Sequence, residues 1–315
     1  SHEWRTAENS AAYLLPHLHV GTRVLDVGSG PGTITLDLAQ RVAPGETLGV
    51  DASAEIVAKA QALADEHGPE NVSFQVDDAY ALSAADASFD VVHAHQVLQH
   101  VARPVDALRE FGRVAGPDGV VAVRDVDYEG VIWYPRIPAL DTWLEVYLRV
   151  PRGNGGEPAA GRHLKAWARE AGFTRVESSA SVWVFESPEE REWWGGSWAV
   201  RAVDSQFATH AIESGAADRE TLERIAEGWR EWAAAEDGWL LMPHAEILAR
   251  RWWPRSAQRP ASRWPPRSWL LASPAKFLCC RMLQQPPRSP QRRSAAKSAR
   301  SRTAWCSGAM THRCS

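Results

Sequence analysis

The stretch Val24-Leu25-Asp26-Val27-Gly28-Ser29-Gly30-Pro31-Gly32-Thr33-Ile34-Thr35-Leu36 constrains this chain more than any other. Val24 to Val27 is a short apolar run, interrupted only by Asp26, of the kind buried in a parallel sheet. The period then changes: Ile34, Leu38 and Val42 recur at i, i+4 and i+8, one face of a helix. Between the two lie three glycines, where no side chain stands between the backbone and a ligand. A strand, a tight glycine turn and a helix in that order place a small ligand over the carboxyl end of a parallel sheet.

The identity of that ligand depends on spacing. A dinucleotide fingerprint, G-x-G-x-x-G, requires a glycine where Thr33 stands, and the Gly-Lys-Ser/Thr of a phosphate-binding loop is absent. Thr33 therefore disfavours a nicotinamide oxidoreductase. The strand-like run Thr47 to Val50 ends in Asp51, an acid placed to accept both hydroxyls of a ribose. Val72 to Val76 reads as a third strand ending in Asp77-Asp78-Ala79, where an acid can accept from an adenine amino group. Phe89 to His95 reads as a fourth strand.

In order and spacing, V-L-D-V-G-S-G-P-G-T, G-V-D-A-S, D-D-A-Y-A-L and F-D-V-V-H-A-H-Q-V-L-Q-H-V closely resemble the class I S-adenosylmethionine-dependent methyltransferases. The resemblance is to the branch holding the ubiquinone- and menaquinone-type enzymes, and it covers roughly residues 20 to 125. It departs mildly at Ser29, where the family usually has cysteine or alanine. The resemblance implies S-adenosylmethionine as cofactor, with contacts at Asp26, Gly28, Ser29, Gly30, Gly32, Asp51, Ala52, Asp78, Ala79, His95 and Gln96. Asp78 is preferred to Asp77 because Asp78-Ala79 matches the family's D-A-x-x-L register. Asp26 is either a structural cap on the turn or, as in the family, an organiser of the loop around the methionine end of the cofactor.

Strands alternate with helices throughout the first half, which predicts a doubly wound parallel sheet. Helices are expected at Trp4 to His19, after Ser53 and after Pro104. Pro117-Asp118-Gly119 should turn into a fifth strand, Val120 to Val126. Beyond Asp127, a helix at Ala139 to Val150, a helix at Arg162 to Ala171, a long strand at Phe173 to Phe185, helices in two pieces from Pro188 to Trp232 and a last strand at Trp239 to Leu248 are expected. The family resemblance makes that last strand antiparallel. The fold class is thus α/β, a seven-stranded Rossmann-like sheet with its last strand antiparallel and a helical cap from insertions at about 127–160 and 187–238.

Charge divides the chain. Residues 251–315 hold 12 Arg and 2 Lys and no acid, whereas residues 1–250 hold 21 basic and 39 acidic residues. The acidic body disfavours nucleic acid as a partner. All four cysteines lie in the tail, so the body has neither a disulfide framework nor a thiolate metal site. Residues 1–250 are expected to form the catalytic domain. Residues 251–315 are a basic low-complexity tail with too little apolar surface to fold: an interaction arm, a plain extension or the product of a shifted reading frame. No apolar run of about 18 residues occurs, so no membrane span and a cytoplasmic location are expected.

His93 and His95 share one face of their strand. No third ligand falls at a persuasive spacing, so no metal is expected. His95 is the candidate catalytic residue, either a base or a wall of the acceptor site. The tryptophans at 133, 143, 183, 193, 194, 198, 229, 232 and 239 should be mostly core, with some lining an apolar acceptor site. The expected activity is methyl transfer to a small, apolar or aromatic metabolite, the acceptor atom being O, N or C. The alternative is a noncatalytic module that keeps the cofactor site and binds a protein through its insertions.

Overall fold

The computed structural model describes residues 4–251; the expected tail from residue 252 onward lies outside the described residues. Among the described residues eight strands form one sheet: β1 Val24–Val27, β2 Thr47–Asp51, β3 Val72–Val76, β4 Phe89–His95, β5 Ala115–Val126, β6 Ile132–Tyr134, β7 Arg175–Phe185 and β8 Trp239–Arg250. The order runs β3-β2-β1-β4-β5-β8, and β7 pairs with β8. The pairs among β1 to β5 are parallel, and β8 runs antiparallel to β5, β6 and β7. The expected antiparallel last strand is present and lies between β5 and β7. Strand β6 is a short eighth strand that the sequence reading did not anticipate.

Two helical layers cover the sheet. The helices are α1 Ala7–Ser10, α2 Thr33–Val42, α3 Ala54–His67, α4 Pro104–Val114, α5 Pro138–Gly153, α6 Ala160–Glu170, α7 Pro188–Val203, α8 Gln206–Glu213 and α9 Arg219–Ala234. On one face, Val24, Val91, Val120 and Ala122 pack against Ile34, Leu38 and Val42 of α2 and against Ala7, Ala11 and Leu14. On the other, Leu25, Val92, Val121 and Val123 meet Leu108 and Phe111 of α4 and Leu164 and Ala168 of α6. Alternate residues of each strand thus feed opposite cores, as the two-residue period requires.

Three local expectations need correction. The helix expected over Trp4 to His19 is only α1 and a 3-10 turn at Leu15–His17. Pro16 lacks the donor a continuous helix needs, and its ring would clash with the preceding turn. Strand β5 begins at Ala115, not Val120; the register jumps from Phe89↔Ala115 to Val91↔Val120, so Pro117-Asp118-Gly119 forms an irregularity within the strand. The second insertion holds three helices, with an added break between Val203 and Gln206, where Ser205 caps α8 through its hydroxyl.

The two insertions follow the carboxyl ends of β5 and β7 and pack on each other. Trp143, Trp198, Trp229 and Trp232 are fully buried there. Trp143 meets Trp198 at 4.9 Å and Trp229 at 4.8 Å between ring centroids, both edge-on, the arrangement that ring quadrupoles favour. Trp133, Trp183 and Trp194 are also buried, as expected. No helix among the described residues is long and apolar enough to cross a membrane.

Candidate cofactor and acceptor site

Because β3, β2, β1 and β4 are neighbours running the same way, their carboxyl ends form one edge. Asp78-Ala79, Asp51-Ala52, the glycine turn and His95-Gln96 all stand on it. The sheet therefore gathers residues that are up to 68 positions apart in the chain.

Gly28, Gly30 and Gly32 have φ of 69°, 57° and 91°. At Gly28 a Cβ would also stand 2.4 Å from Val97 Cγ2, so both backbone and space demand glycine. A Cβ at Gly30 would meet nothing within 4 Å, and there the turn faces open space. The N–H groups of Gly28 and Ser29 donate to the Val50 carbonyl at 2.7 and 2.9 Å. Gly30 N–H and Ser53 N–H donate to the two oxygens of Asp51, at 3.3 and 2.9 Å. The turn is thereby tied to the tip of β2. Burial raises the Asp51 pKa, opposed by those two hydrogen bonds. The Ser29 hydroxyl is buried without a partner among the described residues.

Asp26 is 3% exposed in the middle of the sheet. An uncompensated carboxylate there would be expensive, and neither oxygen is left alone. Thr35 Oγ1 donates to one at 2.5 Å, and His93 Nδ1 lies 2.8 Å from the other. Asp26 thus binds β1 to α2 and β4 beneath the turn. The third strand's acids divide similarly. Asp77 accepts from its own loop, from the Gln75 amide and from the Ser83 N–H and hydroxyl. Asp78 accepts only from Tyr80 N–H, at 2.9 Å, which leaves its second oxygen without a partner among the described residues. Ala52 is exposed and Ala79 half-buried on the same edge. Among the described residues no group of three His, Cys, Asp or Glu side chains could hold a metal.

His95 is 7% exposed, and neither ring nitrogen has a partner among the described residues. Burial pushes its pKa well below the usual histidine range, and the nearby Arg5 and Arg124 add to the shift. Its ring lies 5.6 Å from Trp183 and is stacked 6.3 Å from His244. Gln96, with φ of 55°, accepts from Arg5 at 2.8 Å and contacts His244 Nε2 at 2.9 Å. Arg5 lies 5.4 Å over the Trp183 ring, and the Trp183 indole donates to the Asn9 carbonyl at 2.8 Å. The amino-terminal segment is therefore fastened across the carboxyl ends of β4 and β7.

Sequence reasoning missed Arg5, Tyr13, Arg124, His244 and Glu246. His95, Arg124, Glu246 and Ser179 lie directly opposite one another across β4, β5, β8 and β7, a polar row in the sheet. The readable signal was the charge itself: Arg124 and Glu246 interrupt otherwise apolar strands, where charged residues are rarely buried without a reason.

A family model described as "Methyltransferase domain" matches residues 18–172. An uncharacterized methyltransferase of Schizosaccharomyces pombe is 35% identical over 259 residues, 80% of this chain and 92% of that protein. A protein of Aspergillus luteorubrus named "Probable methyltransferase ltbC" is 32% identical, over 78% of this chain and 91% of its own length. The solved structure of the YcgJ protein from Bacillus subtilis aligns with a TM-score of 0.53 at 24% identity, covering 78% of this chain and 99% of that one. At that identity the likeness speaks for the fold alone.

Proposed function

We propose that this chain, which belongs to the class I S-adenosylmethionine-dependent methyltransferases, methylates a small metabolite with an aromatic or largely apolar body. The observation that carries the substrate reading is the aromatic wall at the carboxyl ends of β4 and β7. Trp4 stands edge-on to Trp183 at 4.7 Å, and Trp183 in turn lies 4.3 Å from His244. Such a cluster sets apolar rings beside a few polar groups, the mixed character usual at a small-molecule site.

The cofactor fits the residues present. Asp51 suits the ribose hydroxyls, Asp78 with its unpartnered oxygen the adenine amino group, and Gly28 to Gly32 with Ser29 the methionine end. Bound S-adenosylmethionine supplies an already activated methyl group. What remains for the protein is to orient the acceptor and keep water out, and placing reactants in a near-attack arrangement is worth about 7–11 kcal/mol. Gln96 and Arg5 close the edge above β4. His95, kept neutral by burial, is a weak base, and we read it as a wall of the acceptor site. The cap tryptophans turn their rings into a shared core, and no observation favours a noncatalytic module.

The test is transfer of radiolabelled methyl from S-adenosylmethionine to a metabolite panel. Incorporation into aromatic or apolar acceptors is expected. Incorporation only into small, strongly polar amines would overturn the substrate reading.

A further inference from the structure

The polar row beneath the amino-terminal segment holds more buried guanidinium donors than its own residues satisfy. Arg124 is 1% exposed. Its Nε donates to Ser181 Oγ at 3.0 Å and lies 3.4 Å from a Glu246 oxygen. Nη1 and Nη2 are buried with no partner among the described residues. A guanidinium carries five N–H donors in a fixed fork, so four are left over, and a buried charged donor without an acceptor is costly.

Glu246 does not answer them. Its two oxygens accept from the hydroxyls of Ser179 and Ser181 at 2.6 and 2.5 Å. Arg5 adds a second cation on the same ring: the two guanidinium carbons lie 5.4 and 4.8 Å from the Trp183 centroid. His95 and His244 are held neutral by burial. Asp26 is engaged with His93 and Thr35, and Asp125 accepts instead from the N–H groups of Leu98 and Gln99. Of the nearby carboxylates only Glu246 lies in direct contact with Arg124, and Asp125 acts on it through space alone. The unpartnered atoms of the cluster include Arg124 Nη1 and Nη2, the Tyr13 hydroxyl and the two His95 nitrogens, of which the neutral ring can donate through one.

We propose that the methyl acceptor carries a carboxylate, bound by the Arg124 guanidinium against Trp183 and beside His95. The proposal rests on the methyltransferase reading above and narrows its substrate class to aromatic acids. A planar carboxylate matches the guanidinium fork in two parallel hydrogen bonds. The position is on the acceptor side. Arg124 stands opposite His95 on β5, two strands from β1, about 10 Å across the sheet from the strand that carries the glycine turn. Its neighbours Trp183 and Ser181 come from β7.

Benzoate and its neutral analogue benzamide are the probes, titrated by calorimetry into the full chain saturated with S-adenosylhomocysteine. Benzoate is expected to bind and benzamide to bind at least about tenfold more weakly, the scale of one charge-assisted contact. Arg124→Met should lose benzoate affinity by about 10- to 100-fold while S-adenosylhomocysteine affinity stays unchanged. The double variant Arg124→Met/Glu246→Gln removes both buried charges, so it covers the case in which an abandoned Glu246 unfolds the single variant. Equal binding of benzoate and benzamide, or of neither, would overturn the proposal, the second because water alone then satisfies Arg124. A loss of S-adenosylhomocysteine affinity in Arg124→Met would also overturn it, by making the carboxylate the cofactor's own. Failure of the wild-type chain to bind S-adenosylhomocysteine would instead strike the cofactor assignment itself.

Discussion

Asp51 and His95 face the same edge but are coupled to it differently. Asp51 holds the glycine turn through Gly30 and remains half-exposed, able to accept from a ligand. Asp51→Ala should weaken S-adenosylmethionine binding by about 1.5–3 kcal/mol, the range for hydrogen bonds to a charged group. Calorimetry giving wild-type affinity would remove Asp51 from the cofactor site. For His95, a base would require a pKa near the working pH, whereas burial drives it the other way. His95→Ala should therefore raise acceptor KM more than it lowers kcat, and the wild-type rate should show no limb near pH 6.5. A loss of about 10²–10⁴-fold in kcat at unchanged KM is the signature of a base and would reverse the assignment.

At the level of elements, the glycine turn and the cap fail in different ways. Gly28→Ala forces a Cβ onto Val97 at a positive φ. It should cost more than about 1 kcal/mol of stability and also weaken cofactor binding, since the Gly28 and Ser29 N–H groups lose their fixed place on Val50. Retained cofactor affinity in a correctly folded Gly28→Ala protein would contradict this coupling. Trp229 is fully buried between Trp143, Trp198 and Trp232. Trp229→Ala should destabilise by about 3–5 kcal/mol, the range for emptying an aromatic site in a core. Urea unfolding measures it, and a cost below about 1 kcal/mol would mean that the cap core is not close-packed.

For the whole molecule, pH enters through histidines buried in their neutral form. His95 and His244 are pushed well below the usual range, chiefly by burial, and His100 down to about 4 for the same reason. Each has a folded pKa below its unfolded value of about 6.5. As pH falls through that value the unfolded chain takes up protons that the folded one refuses, and stability is lost. Asp125 works in the opposite direction: burial raises it to about 7, so it removes stability as pH rises from about 4 to 7. The three histidines outweigh Asp125 and Asp51, whose pKa burial also raises, and the melting temperature should fall between pH 6.5 and 4.5. His100→Asn should make the fall shallower; an unaltered slope in that variant would refute the assignment to His100. The carboxyl boundary is a second global matter. Arg251 donates to the carbonyls of Ala171 and Arg109 at 3.0 and 3.2 Å and covers Phe173. We propose that the folded body ends with it. Truncation after Arg251 should leave melting temperature and cofactor affinity unchanged, and a large drop in either would show that the tail contributes.

The sequence by itself determined the parallel strands, their alternating helices and the edge on which the candidate cofactor residues stand. Those features are written in local periods, in glycines that the backbone requires and in acids at strand tips, so each is legible within a few residues. It also marked Asp26 as anomalous, because a carboxylate inside an apolar strand is visible without a fold. Its partners were not visible: His93 reaches Asp26 only because β4 pairs with β1 in the register Asp26↔His93. Likewise Arg124 and Glu246 stand out in apolar strands, but nothing along the chain joins them to each other or to Arg5 and His244. They became one cluster when β8 inserted antiparallel between β5 and β7 and the amino-terminal segment crossed the same face. Strand order and register set which distant side chains share a face, and they are fixed by the burial of the whole sheet rather than by any one segment. The candidate cofactor edge could be read from the sequence for that reason, whereas the proposed acceptor side was decided by the tertiary structure.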